Sequence, residues 1–309
     1  MLKKKEKNKI RVGILRGGAG KHYESSLEKG GDIISHIFEN LSDKYKIVDI
    51  LIDKNNVWHA GGVPIHPSDL LNKIDVAWNT LHNLNVSPIL NNLAIPNIGN
   101  EYFLGALKNN NEILREHVKN IGIQMPRSIL LSSYQEDFDG PKEQYISKKA
   151  KEILNKFSAP WIIKSFTTDS NMGIHLAKTF RELVDAITDG VNHNKSILVE
   201  EFILGKVISL HSVSGFRGED VYVFLPLNFS INEKEKISSI VKDLHTHLGV
   251  NHYLKSDFLL HPKLGFFLTN IDFSPDLRAE SHFEQSCKYV GADIYHVVDH
   301  LLERALNKM

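Results

Sequence analysis

The sequence predicts an α/β protein that opens on a parallel sheet flanked by helices. Three observations carry this expectation. Short apolar strands alternate with amphipathic helical stretches over the first hundred residues, which is the pattern of a parallel sheet with crossover helices. A Gly17-Gly18 turn joins the first strand to the first helix. Near the end of the chain, two long apolar arms flank a Pro- and Gly-bearing turn, the signature of a hairpin.

Taken in order, residues 10–15 form a strand that runs into Arg16-Gly17-Gly18-Ala19-Gly20, and a helical pattern follows from Tyr23 to about Leu41. Residues 45–52, 74–81 and 95–99 read as further strands, so an N-terminal domain is expected over 10–103. The apolar spacing of 104–121 predicts one helix, stopped by Gly122 and Pro126. The polar stretch 134–146, with Gly140-Pro141, predicts a loop. Residues 161–165 read as a strand carrying Lys164 near its end, followed by a small polar segment at 167–173. A helix over 180–191, strands near 196–202, 207–214 and 221–227, and a helix over 233–248 come next. The hairpin has arms at 256–260 and 266–272, and a helical segment over 282–307 closes the chain.

A length of 309 residues gives room for two or three packed units. Lys and Arg together number 37, as do Asp and Glu, so no global field favours nucleic acid or an anionic membrane surface. The Lys-rich residues 1–9 read as a solvated tail, because no apolar segment of signal-peptide length follows them. No stretch approaches the length of a membrane-spanning helix. The single cysteine, Cys287, excludes an internal disulfide and fits a reducing cytoplasm, as a small buried helical residue.

The residues that could carry chemistry admit two readings each. Asn270 and Asp272 share one face of the second hairpin arm, and Asp257 on the first arm lies beside them if one turn residue is bulged. Carboxylates in so apolar a setting need compensation, from a hard cation such as Mg²⁺ or from water at a solvated strand end. The 17–20 glycine turn can hold an anion at a helix N-terminus or serve as a tight turn alone. Lys164 beside a flexible polar segment suits a phosphate clamp, or is a surface lysine. Glu200-Glu201 places two carboxylates at a strand end. His82 falls at the carboxyl edge of a parallel strand, where α/β ligand sites gather, or packs there. The other histidines lack metal-site spacing.

The order of these pieces is more specific than any one of them. Strand–Gly-Gly–helix, strand–His82, helix, strand–Lys164–small loop, strand–Glu200-Glu201-Phe202-Ile203 and the Asp257/Asn270/Asp272 hairpin ending in Ser274-Pro275 resemble the D-alanine–D-alanine ligase branch of the ATP-grasp superfamily. The resemblance runs from about residue 11 to 306. It implies an N-terminal parallel-sheet (pre-ATP-grasp) domain followed by a two-subdomain ATP-grasp fold of α+β type, divided at 10–103, 104–195 and 196–309. It also implies a cytoplasmic, homodimeric ligase of peptidoglycan precursor synthesis. With ATP and Mg²⁺, such an enzyme phosphorylates one small amino acid on its carboxylate and lets the amine of a second attack the acyl phosphate. By position, Lys164, Gly173, Glu200, Glu201 and Ile203 would hold the nucleotide, and Asp257, Asn270 and Asp272 the metal. Gly17, Gly18, His22, His82 and Ser281 would hold substrate, while Lys255, Ser170 and Glu24 would take part in the chemistry.

The departures from the family pattern fall at the same site. Asn270 stands where the family has a glutamate bridging two magnesium ions, and Asp272 where it has an asparagine. Lys255 replaces an arginine, Asn111 a phosphate-contacting lysine, Val207 a ribose-binding glutamate, His22 a glutamate that orients an ammonium, and Asp276 a glycine. The family's lid loop is not visible between 225 and 233. These changes imply, as alternatives, a relative with impaired or absent catalysis that keeps the scaffold for binding, or a ligase for a different small amine.

Overall fold

In the computed structural model, which describes residues 9–83, 85–99, 102–108, 110–166, 172–225 and 229–307, the chain divides into two units. One comprises residues 1–123, 208–258 and 270–309, and the other 124–207 and 259–269.

The larger unit is organised by β1 (Ile10–Gly17), whose side chains are buried over most of its length. It lies between β2 (Tyr45–Ile52) and β5 (Val76–Asn79), parallel to both, and β6 (Asn97–Gly99) continues the parallel order beyond β5. The parallel core therefore matches the expectation. On the other side an antiparallel hairpin, β3 (Trp58–Ala60) and β4 (Val63–Ile65), completes a six-stranded sheet. Its turn is Gly61-Gly62, both with positive φ, which is the chemistry a two-residue hairpin requires. Helix α1 (Tyr23–Asn40) buries Ile33 and Ile37 on this sheet, and α2 (Val86–Asn92) buries Leu90.

The expected single helix over 104–121 is two, α3 (Tyr102–Lys108) and α4 (Asn111–Lys119). Asn110 accounts for the break: its side chain accepts the N–H groups of Glu112 and Ile113, and so starts a new helix. The final helical segment is likewise split, into α9 (His282–Tyr289) and α10 (Ile294–Leu306), by Gly291 at positive φ. The expected loop at 134–146 is also corrected. It contains the short α5 (Glu136–Asp139) and the start of α6 (Lys142–Lys156), because Pro141 suits the position preceding a helix.

The smaller unit holds an antiparallel sheet in the order β7 (Ser128–Leu131), β10 (Ile197–Glu201), β8 (Trp161–Ser165), β9 (His175–Ala177). Helices α6 and α7 (Phe180–Asn192) supply Ile153, Leu183 and Ile187 to its core around Trp161 and Ile163. A third sheet has the order β12 (Val221–Phe224), β11 (Lys206–Ser214), β13 (Tyr253–His261), β14 (Gly265–Asp272), with α8 (Ile231–His247) following β12. β13 and β14 are the predicted hairpin. Cys287 is fully buried, and burial pushes its thiol up to about 12, so it is a packing residue. Among the described residues no helix is long and apolar enough to cross a membrane.

Candidate functional site

In the larger unit, candidate residues gather where the carboxyl ends of β1 and β5 meet β14. Gly17 and Gly18 have φ of 93° each. Their N–H groups are already used, Gly17 donating to Ser26 Oγ at 3.0 Å and Gly18 to the Ile52 carbonyl at 2.7 Å. A Cβ at Gly17 would come within 2.4 Å of that same carbonyl oxygen. The glycines are thus explained by a turn and a close backbone approach, and these two N–H groups do not point to an anion. His22 and His82 stack with ring centroids 4.1 Å apart. Burial, reinforced by His22 and by Lys29 and Lys108, pushes His82 down to about 4, and burial with neighbouring lysines lowers His22. A histidine ring is neutral or cationic, so neither supplies the negative counter-charge that a glutamate would offer an ammonium. Glu24 is exposed in the first turn of α1.

The carboxylates of the hairpin are engaged by different partners. Asp257 accepts from Ser209 Oγ at 2.5 Å and from the Asn270 amide at 3.2 Å, and Lys255 Nζ lies 3.2 Å from it. Asp272 is held by Lys108 Nζ at 2.8 Å and by the Ser274 N–H at 3.1 Å. Burial works to raise the Asp272 carboxyl, but Lys108 and Lys29 outweigh it and leave it below the usual range. The structure therefore brings Asn270 to Asp257, while Asp272 pairs with a lysine. Lys108 on α3, three residues before Asn111, is the cation that meets Asp272. Ser281 caps α9 by accepting the Glu284 N–H and donates its hydroxyl to the Asp276 carbonyl.

Lys255 and Asp272 border a cavity of about 310 Å³ within the larger unit, lined also by Lys29, Asp32, His211 and His282. Behind it runs a buried hydrogen-bonded chain: Tyr253 OH to His211 Nδ1 at 2.6 Å, and His211 Nε2 to His282 Nδ1 at 2.7 Å. Burial pushes His211 well down and Tyr253 well up, which keeps the chain neutral. Lys29, Asp32, Lys108, His211 and His282 were not legible as site residues. Lys29 and Asp32 look like surface positions of an amphipathic helix, and only the closing of β14 over α1 turns them inward.

In the smaller unit, Lys164 Nζ pairs with Glu200 at 2.5 Å across neighbouring antiparallel strands. Glu201 pairs with Arg127 at 2.6 Å, and its N–H donates to the Arg127 carbonyl. The Phe202 N–H donates to the Pro160 carbonyl, whereas the next N–H, that of Ile203, has no backbone acceptor among the described residues. Val207 is 68% exposed. Gly173 follows the polar segment; Ser170 lies outside the described residues.

The fit to a metal follows from the donor set. Among the described residues no group of three or more His, Cys, Asp and Glu is arranged around a common point. Asp257 and Asp272 are each ion-paired to a lysine, Lys255 and Lys108, and do not form a protein-built pair of magnesium sites. Asp257, with the Asn270 amide nitrogen used on it and the carbonyl oxygen left over, matches the simpler mode in which one carboxylate holds a Mg²⁺ already bound to phosphates.

Comparison with known proteins gives one consistent answer. The family described as D-ala D-ala ligase C-terminus matches residues 118–215. The D-alanine–D-alanine ligase of Wigglesworthia glossinidia brevipalpis is 23% identical, over 94% of this chain and 97% of that protein. The D-alanyl-alanine synthetase A of Vibrio cholerae O1 biovar eltor superposes with a TM-score of 0.76 at 14% identity, covering 98% of this chain and 100% of that one. The D-alanine–D-alanine ligase of Bacillus anthracis, solved in complex with ATP, gives 0.70 at 19% identity, covering 96% and 97%.

Proposed function

We propose that this chain, which is similar over almost its whole length to D-alanine–D-alanine ligases, is an ATP-dependent carboxylate–amine ligase of the ATP-grasp type acting on small amino acids. The observation that carries the reading is the length of the likeness: almost the whole of the Wigglesworthia ligase has a counterpart in this chain. A cytoplasmic setting, peptidoglycan precursor synthesis and a homodimeric assembly go with this reading.

In this proposal the γ-phosphoryl of ATP passes to the carboxylate of the first substrate. The amine of the second attacks the acyl carbon, phosphate leaves, and the amine proton is released. Lys164, drawn from Glu200, would contact the phosphates as a point charge. The Ile203 N–H, with Glu200 and Glu201 flanking it, would meet the base of the nucleotide, and Gly173 would border the phosphates. Asp257 with Asn270 would hold one Mg²⁺ carried in on the nucleotide, which would neutralise charge on the transferring phosphoryl. Lys255, 3.2 Å from Asp257, would stabilise the oxyanion that forms when the amine adds. Glu24 and Ser281 are given no part, the first being exposed and the second spent on a helix cap.

Calorimetric titration with a non-hydrolysable ATP analogue, followed by phosphate release with and without D-alanine and other amino acids, tests this. Nucleotide should bind, and phosphate release should need an amino acid. Lys164→Met should weaken nucleotide binding at least about tenfold, the value of one lost charge-assisted contact. Absence of nucleotide binding at millimolar concentration would leave the scaffold alternative in place of the ligase.

A further inference from the structure

Two charged side chains of α1 are left incompletely satisfied beside the same cavity. Lys29 is largely withdrawn from water, and its one hydrogen bond among the described residues is to Ser274 Oγ at 3.2 Å. Among the described residues no carboxylate lies within ion-pair distance of it, because Asp272 is taken by Lys108 and Asp276 by Arg278. An ammonium has three N–H donors, so two of them have no acceptor among the described residues. Asp32, one turn further along α1, is half-buried and has neither a hydrogen bond nor an ion pair among the described residues. Lys29 and Asp32 stand three apart on the helix yet do not pair with each other.

Charged groups of both signs surround the two side chains. Near Asp32 lie two further carboxylates, Glu28 and Asp276, and Arg278 there is tied to Asp276 through Nε and Nη2, at 2.8 and 2.7 Å. Near Lys29 lie the carboxylates of Asp272 and Asp276 together with the cations of Lys108 and Arg278. The cavity thus holds charges of both signs, and Lys29 and Asp32 are two of its charged groups without an ion-pair partner among the described residues. Withdrawing such groups from water without a partner is costly, and a ligand with the opposite pair of charges removes both costs at once. Its volume of about 310 Å³ sits at the small end of small-molecule sites, roughly 300–1,000 Å³.

We propose that Lys29 and Asp32 are the specificity-determining pair for a zwitterionic amino acid in this cavity, Lys29 binding its carboxylate and Asp32 its ammonium. The assignment of this amino acid as a ligase substrate rests on the function proposed above; the binding itself does not. It also accounts for the neutral His22–His82 stack, since the ammonium is recognised from α1.

The test is calorimetric titration of the full-length protein, with and without a non-hydrolysable ATP analogue. The probes are free amino acids of both configurations, each with its hydroxy acid (no ammonium) and its amino alcohol (no carboxylate). The native protein should bind at least one amino acid and prefer it by about tenfold or more over both analogues. Lys29→Met should abolish the preference over the amino alcohol but not over the hydroxy acid. Asp32→Asn should do the reverse, and Lys29→Arg should keep both. These opposite losses are a pattern that general unfolding does not produce. The proposal is overturned if no amino acid binds the native protein, or if either variant keeps both preferences. Zwitterion binding without any ATP-dependent phosphate release would instead remove the ligase reading and leave this one standing.

Discussion

Asp272 and Lys108 show how one residue acquires its role from a partner far away in the chain. Their side chains are 27% and 23% exposed, so neither is well solvated once the other is gone. Lys108→Met should destabilise the protein by about 1–3 kcal/mol, because it strands a mostly buried carboxylate. Adding Asp272→Asn should recover part of that loss, giving a coupling of about 0.5–3 kcal/mol in urea denaturation; strictly additive losses would show that the pair does not interact. His245 gives a second prediction at this scale. Its ring is buried and bonded at both nitrogens, to Ser212 Oγ at 2.8 Å and Ser214 Oγ at 2.7 Å, and burial pushes it down to about 4. Between the ordinary histidine value near 6.5 and about 4, the unfolded chain takes up a proton that the folded chain refuses. The stability is therefore complete above pH 6.5 and is lost as pH falls toward 4, by about 3 kcal/mol for this group. His82, also near 4, adds in the same direction. Denaturation curves at several pH values should show this decline, flattened in His245→Gln.

Among the elements, the β1–α1 junction and the α3–α4 break can each be tested with one substitution. Gly17 has φ of 93°, and an added Cβ would lie 2.4 Å from the Ile52 carbonyl oxygen, whereas Gly20 has φ of 94° with nothing within 4 Å. Gly20→Ala should cost about 1 kcal/mol, from backbone strain alone. Gly17→Ala should cost clearly more, because β2 itself would have to move, and thermal denaturation of the two variants separates these cases. At the other junction, Asn110→Ala removes the acceptor for two N–H groups of α4 and should cost about 1 kcal/mol. A neutral effect would mean that the cap does not hold the break. The apolar spacing of 104–121 suggested one helix, and the break lies in the Asn-rich stretch around Asn110. Gly61-Gly62 was a readable hairpin signal that strands of three residues were too short to support.

At the scale of the whole molecule, each unit closes its own core. Leu183, Ile187, Trp161 and Ile163 are buried together in the smaller unit, while Val298, Phe283 and Tyr253 are buried together in the larger. Leu183→Ala should cost about 2–5 kcal/mol by leaving a cavity. Amide exchange should rise in β7 to β10 and change little in β1 and β5. A uniform rise over both sets of strands would contradict separate cores. The order of elements was readable because strand and helix periods are local properties of the chain. The same order placed Lys164 and Glu200 on strands and Asp257 and Asn270 on the two arms of the hairpin, where the structure has them.

The sequence by itself determined the alternation of elements, the parallel first sheet, the hairpin and the likeness to carboxylate–amine ligases. It did so because hydrophobic period, turn residues and motif order are written along the chain. Only the tertiary structure decided which charges meet. Lys108 neutralises Asp272, the glycine N–H groups are consumed by Ser26 and Ile52, and Lys29 and Asp32 face a cavity with partners missing. The reason is that electrostatic and hydrogen-bond energies depend on distances of a few ångströms and on burial. Residues separated by more than 160 positions, as Lys108 and Asp272 are, acquire those only when the sheets close.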